Sequence, residues 1–319
     1  MEISDNSKIS IVIVNYNGET YLRRTLSAFL SLTYTNKEII IVDNGSTDGS
    51  KEYIKTLKGI KLIESPKLRE KNFACNLWVK NASGEYILMC DNDLLVTQND
   101  LLEELLVIYQ EKKDAGIIGL SYTDEWQEKS NGYGVFFWNF FIASRKKISF
   151  SEWKKLHGSL IWFPHGIWFF IKKDIWDELW GYDEYLAFWW DDNDIGIQSF
   201  LQWYKNYIYS NSLQLHIWLQ ERIDTSKFVF KFKNQVYSEL YVIVKNYRIW
   251  HMFQTLFLYS LYLFLKSMKQ SFERKSILPF VAWGQWCLLF FQNLPVALEK
   301  RRHIQRNRKV QKDVFLDVK

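Results

Sequence analysis

The chain has 319 residues, with 41 Lys and Arg against 36 Asp and Glu for a formal charge of +5, and 18% of it is aromatic. That length buries one large core or two domains, and so mild a charge excess gives no ground for a nucleic-acid binder. Cys75, Cys90 and Cys287 are odd in number, scattered and without metal spacing, which excludes a disulfide framework and points to a reducing compartment.

The polar stretch Met1 to Lys8 runs into a strand pattern with no secretory signal. Ile9 to Val14 is a β-branched run ended by Asn15-Tyr16-Asn17-Gly18, after which Leu22, Leu26, Phe29 and Leu30 recur at helical spacing. Glu38 to Val42 reads as a second strand, stopped by Asp43-Asn44-Gly45-Ser46-Thr47-Asp48-Gly49. A polar helix from about Ser50, a short strand over Ile60 to Ile63 and a helix over Phe73 to Lys80 follow. Tyr86 to Cys90 is an apolar strand, Asn99 or Asp100 caps the next helix, and Gly116 to Leu120 is a further strand. Alternation of this kind predicts a parallel sheet with crossover helices. Trp126 to Trp180 is irregular and aromatic, as in a loop-rich half that builds a cleft, and a helix is expected from Asp191 to about Tyr204.

Asp91-Asn92-Asp93 closes the strand Tyr86 to Cys90 with two carboxylates one residue apart. At the carboxyl edge of an open α/β sheet, where nucleotides bind, such oxygen ligands suit Mg²⁺ or Mn²⁺ shared with a diphosphate. Alone, the triplet is more often a solvated loop or a helix cap. A second cluster, Asp191, Asp192 and Asp194, opens a helix a hundred residues later. A helix N-terminus stabilises carboxylates, but capping accounts for one of the three.

The runs Ile9 to Gly18 and Glu38 to Ser50 closely resemble the family 2 glycosyltransferases of the GT-A fold. Ala82 to Asp93 is similar to that family's metal-binding strand, and Gly181-Tyr182-Asp183-Glu184 with Trp190 to Asp194 resembles its acceptor-side acidic motif. The resemblance covers residues 9 to about 250 in order. It implies an α/β, Rossmann-like catalytic domain over 1–224, with Tyr16, Asp43, Asp91 and Asn76 binding the nucleotide-sugar and Asp91 and Asp93 the metal. Asp192 matches the family's base, with Asp191 beside it where many relatives have Glu. His216 resembles the metal-ligand histidine of galactofuranosyl- and rhamnosyltransferase-like members, although a lone His between apolar residues is more often core. Trp78 stands where many members have Gly, and the segment from Lys67 to Asn72 lacks their usual Gly. Both departures bear on which sugar fits.

The implied activity is metal-dependent, inverting transfer from a UDP- or dTDP-sugar to a hydroxyl of a lipid-linked or cell-surface glycan. The alternatives are a catalytically silent nucleotide-sugar-binding scaffold subunit of a polysaccharide assembly complex and a soluble transferase that modifies protein and dimerises through its C-terminal helices. Trp162, Trp168, Trp189 and Trp190 either stack on sugar rings or pack a core, and His165-Gly166 shapes the acceptor entrance.

Residues 225–319 read as a helical extension. Ile249 to Leu265 and Ser276 to Leu298 contain no Lys, Arg, Asp or Glu; the first is short for a membrane span and the second is interrupted by Pro279 and Pro295. They are either buried helices or amphipathic helices in a bilayer interface, and the basic run Lys300 to Lys312 suits anionic lipid. The expected location is therefore the cytoplasm, peripheral at the inner face of the cell membrane. The basic run abuts an apolar stretch rather than a base-stacking platform, which argues against nucleic acid.

Overall fold

The computed structural model describes residues 6–67, 70–124, 137–138, 142–143, 149–164, 168–186, 190–217 and 225–314. The expected entrance at His165-Gly166 and the stacking residue Trp189 lie outside them. The first half alternates as its hydrophobic periods predict: β1 (Ile9–Asn15), α1 (Glu19–Leu30), β2 (Lys37–Asp43), α2 (Ser50–Lys55), β3 (Ile60–Glu64), α3 (Lys71–Asn81) and β4 (Tyr86–Asp91). Next come β5 (Leu94–Leu95), α4 (Leu101–Glu111), β6 (Ala115–Asp124), β7 (Phe137–Trp138), β8 (Ile142–Ala143), α5 (Phe150–Lys154) and β9 (Leu160–Ile161). The second half holds β10 (Trp168–Lys172), α6 (Lys173–Glu178), α7 (Asp191–Leu201), β11 (Lys205–His216), α8 (Thr225–Asn246), α9 (Ile249–Arg274) and α10 (Leu278–Asn307).

One sheet carries the order β3-β2-β1-β4-β10-β6-β11-β5, with β9 on β11. β1 is central and wholly buried, parallel to β2 on one side and to β4 on the other. The chain lays down β2 and β3 on one flank of β1 and then crosses to place β4 on the other. That reversal is the switch point at which open α/β sheets leave a crevice for ligands. In register, Asn15 stands opposite Asp43, and Val14 opposite Asp91, so all three strands end at one edge.

The stretch expected to be irregular contains a central strand. β10 inserts antiparallel between β4 and β6, and Trp168, Phe169, Phe170 and Ile171 are buried there. A strand covered on both faces reads as a continuous apolar run, with no alternation to reveal it. Trp168 lies 6.1 Å from Phe29 between ring centres, and Trp162 packs edge-on at 5.1 Å against Phe163. With Trp190 also buried, the sugar-stacking alternative is overturned for these three residues in favour of core packing.

Two apolar cores result. The first joins the sheet to α1, α3 and α4; the second joins Trp162, Phe163 and Trp190 to α8, α9 and α10. All eleven residues of α7 are buried, with Ile195 in the first core and Ile197, Phe200 and Leu201 in the second. The α7 helix ends at Leu201, three residues sooner than expected, and Trp203 follows with a left-handed φ of 74°. Pro279 lies at the start of α10, where a missing N–H costs nothing, so Pro295 is the proline inside the helix. Among the described residues no helix is long and apolar enough to cross a membrane.

Of the seven basic residues in the run expected to meet lipid, four bond within the molecule and Arg302, Arg306 and Lys312 are exposed. Lys300 Nζ donates to Asp183, Arg301 Nη1 to the Val244 carbonyl at 2.8 Å and Lys309 Nζ to Glu178 at 2.6 Å. Arg308 is buried and donates to Asp313 at 2.8 Å.

Candidate active site

The carboxyl edge of β1 and β2 is built by backbone-directed side chains. Asp43 is buried; its Oδ1 accepts from the backbone N–H groups of Gly45 at 3.1 Å and Ser46 at 2.8 Å, and its Oδ2 from Asn15 Nδ2 at 3.1 Å. Gly45, with φ of 90°, lets this turn close. Asn17 takes a left-handed φ of 47°, and its Oδ1 accepts from Thr47 N at 2.8 Å, which ties the loop after β1 to the loop after β2. Tyr16, in the loop after β1, is 38% exposed.

Gly18 explains why this turn needs a glycine. A Cβ there would lie 1.8 Å from Asn92 Nδ2 and 2.4 Å from Asn15 Oδ1, atoms that are hydrogen-bonded to each other at 2.7 Å. The contact joins the end of β1 to the Asp91-Asn92-Asp93 turn, and Thr25 Oγ1 supports the same turn by donating to the Asn92 carbonyl at 3.0 Å.

β5 and β11 complete the acidic turn. His216 pairs in register with Leu94, and Ile217 N donates to the Asp93 carbonyl at 2.8 Å. This brings His216 Nε2 to 3.2 Å from Asp93 Oδ2, while Asp93 Oδ1 is buried without a hydrogen-bond partner. A carboxylate oxygen in that state suits a cation. Among the described residues no group of three His, Cys, Asp or Glu is gathered to hold a metal unaided. Asp93 and His216 thus fit Mg²⁺ or Mn²⁺ only as part of a set completed by phosphate and water, which is how Mg²⁺ is usually held.

Asp91 faces Lys71 of α3, whose Nζ lies 3.4 Å away. Burial pushes the Asp91 carboxyl up, Lys71 pulls it down and Asp93 and Asp191 add to the rise, leaving it at about 6. The influence of Asp191 on Asp91, and of Asp191 and Asp192 on Lys71, puts the two acidic clusters in one electrostatic field. Lys71 was not among the expected site residues; it lies in the segment whose missing glycine was the visible departure.

The second cluster divides by role. Trp190 precedes α7 with a left-handed φ of 66°, a conformation costly for a bulky residue, and its indole Nε1 donates to Glu239 Oε1 of α8 at 3.0 Å. Asp192 Oδ1 accepts from Asn193 N at 2.8 Å and Asn193 Nδ2 at 2.9 Å. Asp194 is turned inward instead, accepting from Lys245 Nζ at 2.6 Å and Asn246 Nδ2 at 2.7 Å. Lys245 also donates to Asp183 at 2.8 Å, so one buried ammonium from α8 bridges both halves of the acidic motif. Burial pushes the Asp183 carboxyl up, but Lys245 and Lys300 outweigh it and hold it well below the usual carboxylate range.

Asn76 uses its amide on the same motif. Its Nδ2 donates to the Tyr182 carbonyl at 2.8 Å and its Oδ1 accepts from Tyr182 N at 2.9 Å. Sequence reasoning missed Lys245 and Glu239, and each left a signal: a lone charge in the apolar run Leu240 to Val244 or beside it needs a buried partner.

A parallel-sheet crevice, paired carboxylates at its edge and a facing acidic helix define a GT-A-like α/β fold with a helical C-terminal region. The sequence profile of Glycosyl transferase family 2 matches residues 10–180, more than half of the chain, and the chain belongs to that family. It is 37% identical over 102 residues to an uncharacterized glycosyltransferase of Haemophilus influenzae, covering 31% of this chain and 40% of the relative. It is 33% identical over 133 residues to glycosyltransferase GlyG of Streptococcus pneumoniae, covering 40% and 43%. A poly-beta-1,6-N-acetyl-D-glucosamine synthase of Staphylococcus epidermidis matches at 37% over 91 residues, 28% of this chain and 22% of the synthase. The matches thus span less than half the length of these curated relatives.

Two solved structures share the fold. S. aureus TarS 1-349 in complex with UDP-GlcNAc superposes with a TM-score of 0.60 at 12% identity, covering 97% of this chain and 90% of that one. Mannosyltransferase PcManGT from Pyrobaculum calidifontis, in complex with GDP-Man and Mn²⁺, gives 0.52 at 16% identity, covering 95% and 75%.

Proposed function

We propose that this chain is a metal-dependent, inverting glycosyltransferase. Its donor is a UDP- or dTDP-linked sugar and its acceptor a hydroxyl of a lipid-linked or cell-surface glycan, reached from the inner face of the membrane. The observation that carries the reading is the buried, unpartnered oxygen of Asp93 beside His216, at a sheet edge whose field includes Asp191 and Asp192. Asp93 and His216, with Asp91 alongside, would hold Mg²⁺ or Mn²⁺, which when bound stabilises charge on a departing diphosphate as a Lewis acid.

The remaining steps belong to the chain's own residues. Tyr16 lies against the base, and the Asp43-capped turn keeps the loop after β2 in place for the base or ribose. Asn76 acts by fixing the Tyr182 turn. Asp192 takes the acceptor hydroxyl's proton onto a carboxylate oxygen as the new bond to the anomeric carbon forms. Asp191 stands beside it in the catalytic pair. Attack from the face opposite the leaving group inverts the configuration, so no second carboxylate is needed to form a covalent intermediate. The UDP-GlcNAc complex of the TarS neighbour supports a uridine donor, and the synthase relative supports a glycan acceptor.

The test is nucleotide release from a panel of UDP- and dTDP-sugars with Mn²⁺, Mg²⁺ or EDTA. Release from one donor that stops with EDTA is expected. Nucleotide-sugar binding with no release, even with glycan acceptors added, would overturn the transferase reading in favour of a scaffold subunit.

A further inference from the structure

The helices α9 and α10 form an antiparallel hairpin, with Phe264 of one against Phe280 and Trp283 of the other. The inner side of α9 is spent in the second core through Met252, Tyr259 and Leu263. Its outer side is not. Trp250 is 82% exposed, Phe257 71% and Phe272 88%, and Phe253, Leu261 and Leu265 are exposed on the same helix. At 1.5 Å per residue, Trp250 to Phe272 spans about 33 Å. Ile277 just before α10, and Leu288 and Phe291 within it, are also exposed. Apolar surface this extended marks an interaction site.

The charges say what covers it. Between Ile249 and Leu298 the chain has Lys266, Lys269, Arg274 and Lys275 against the single acid Glu273, all near the hairpin tip. Lys269 and Lys275 are exposed, Lys269 beside Glu273 at 3.7 Å. Four of the seven basic residues of the run, Lys300, Arg301, Arg308 and Lys309, instead bond within the protein, and Arg302, Arg306 and Lys312 stay exposed. A long apolar face with a basic end, on helices not long and apolar enough to cross a membrane, is the pattern of a helix lying in the interface of an anionic bilayer.

We propose that the outer face of the α9–α10 hairpin docks flat on an anionic lipid surface, Trp250, Phe253, Phe257 and Phe272 entering the headgroup boundary and Lys269 and Lys275 meeting the lipid charge. Attachment therefore runs through the hairpin rather than the basic run at the end of the chain. The contact deepens the membrane-face part of the reading above, and it rests on that reading only for the benefit of meeting a lipid-linked acceptor.

The test is sedimentation of the full chain with vesicles of phosphatidylglycerol and phosphatidylcholine, and with phosphatidylcholine alone, at low and high salt. Binding to the anionic vesicles is expected, weakened by salt. Phe253→Ser/Phe257→Ser and, separately, Lys269→Glu/Lys275→Glu should each lower the partition coefficient about tenfold. Both pairs are exposed, so unchanged melting temperatures are expected and show that folding is intact. Arg302→Glu/Arg306→Glu should lower the partition coefficient less than either hairpin pair. A chain that stays in the supernatant, or hairpin variants that sediment as the parent does, would overturn the proposal. A dimer that Phe253→Ser/Phe257→Ser dissociates, with no vesicle binding, would assign the face to a second copy instead. Nucleotide release in lipid-free solution should be unchanged in all these variants, so loss of docking and loss of the transferase reading are separately visible.

Discussion

At the scale of single residues, the carboxyl edge of the sheet depends on small contacts that fix where carboxylates point. Gly18 leaves room for the Asn15–Asn92 hydrogen bond beneath the acidic turn. Gly18→Ala should displace Asn92 and cost about 1–2 kcal/mol, the range for a disrupted, partly buried hydrogen bond. Thermal denaturation would measure that loss, and nucleotide titration should show weakened binding with it. Glu239 is a different case. Burial pushes its carboxyl up to about 7, against the hydrogen bonds from Gln235 and Trp190 that pull it down. A carboxyl held higher in the folded chain than the 4.5 of its unfolded state favours folding while protonated. Its contribution is complete below the unfolded value and is lost as pH rises towards the folded one, a cost of about 3 kcal/mol at higher pH. Glu239→Gln keeps an oxygen for the Trp190 indole and cannot ionise. It should raise the melting temperature at alkaline pH and flatten its slope between acid and neutral pH. An unchanged slope would show that Glu239 does not titrate in that window.

At the scale of elements, α8 is the clamp on the acidic helix. Lys245 bridges Asp183 and Asp194 from within the second core, where all three side chains are buried. Lys245→Met would leave the buried Asp194 without its cation and Asp183 with Lys300 alone, a loss of about 3–5 kcal/mol. Urea denaturation should show it, and Lys245→Met/Asp194→Asn should recover part of it by removing one orphaned charge. If the double variant were no more stable than the single, the bridge would not be the source of the loss. The elements themselves were unequally legible. β1 and β2 were readable because β-branched runs ended in turn residues, β4 because a short apolar run ended in an acidic triplet, and the two acidic clusters stood out by composition. β10 was not readable, because an apolar strand inside an aromatic stretch has no period to show. His216 was placed by resemblance, and only the pairing of β11 with β5 shows how it reaches Asp93.

At the scale of the whole molecule, α7 lies between two cores, one made by the sheet and the other by the C-terminal helices. The expected units over 1–224 and 225–319 therefore meet on the helix that carries Asp191 and Asp192. Composition showed the apolar C-terminal stretches but not which side of each is covered, since side-chain type alone cannot separate an inner Leu263 from an outer Leu261. The same limit hid the fate of the basic run, whose arginines and lysines are distinguished only by their partners. The central claim is that Asp93 holds the donor's metal and Asp192 is the base, and it is tested most directly by separating binding from turnover. Nucleotide binding, by calorimetry with Mn²⁺, and nucleotide release from the preferred donor with acceptor would be measured on the parent chain, Asp192→Asn and Asp93→Ala. Asp192→Asn is expected to bind within about twofold of the parent while turnover falls by about 10²–10⁴, and Asp93→Ala to lose the Mn²⁺-dependent part of binding. Parental turnover in Asp192→Asn, or Mn²⁺-dependent binding intact in Asp93→Ala, would contradict the assignment.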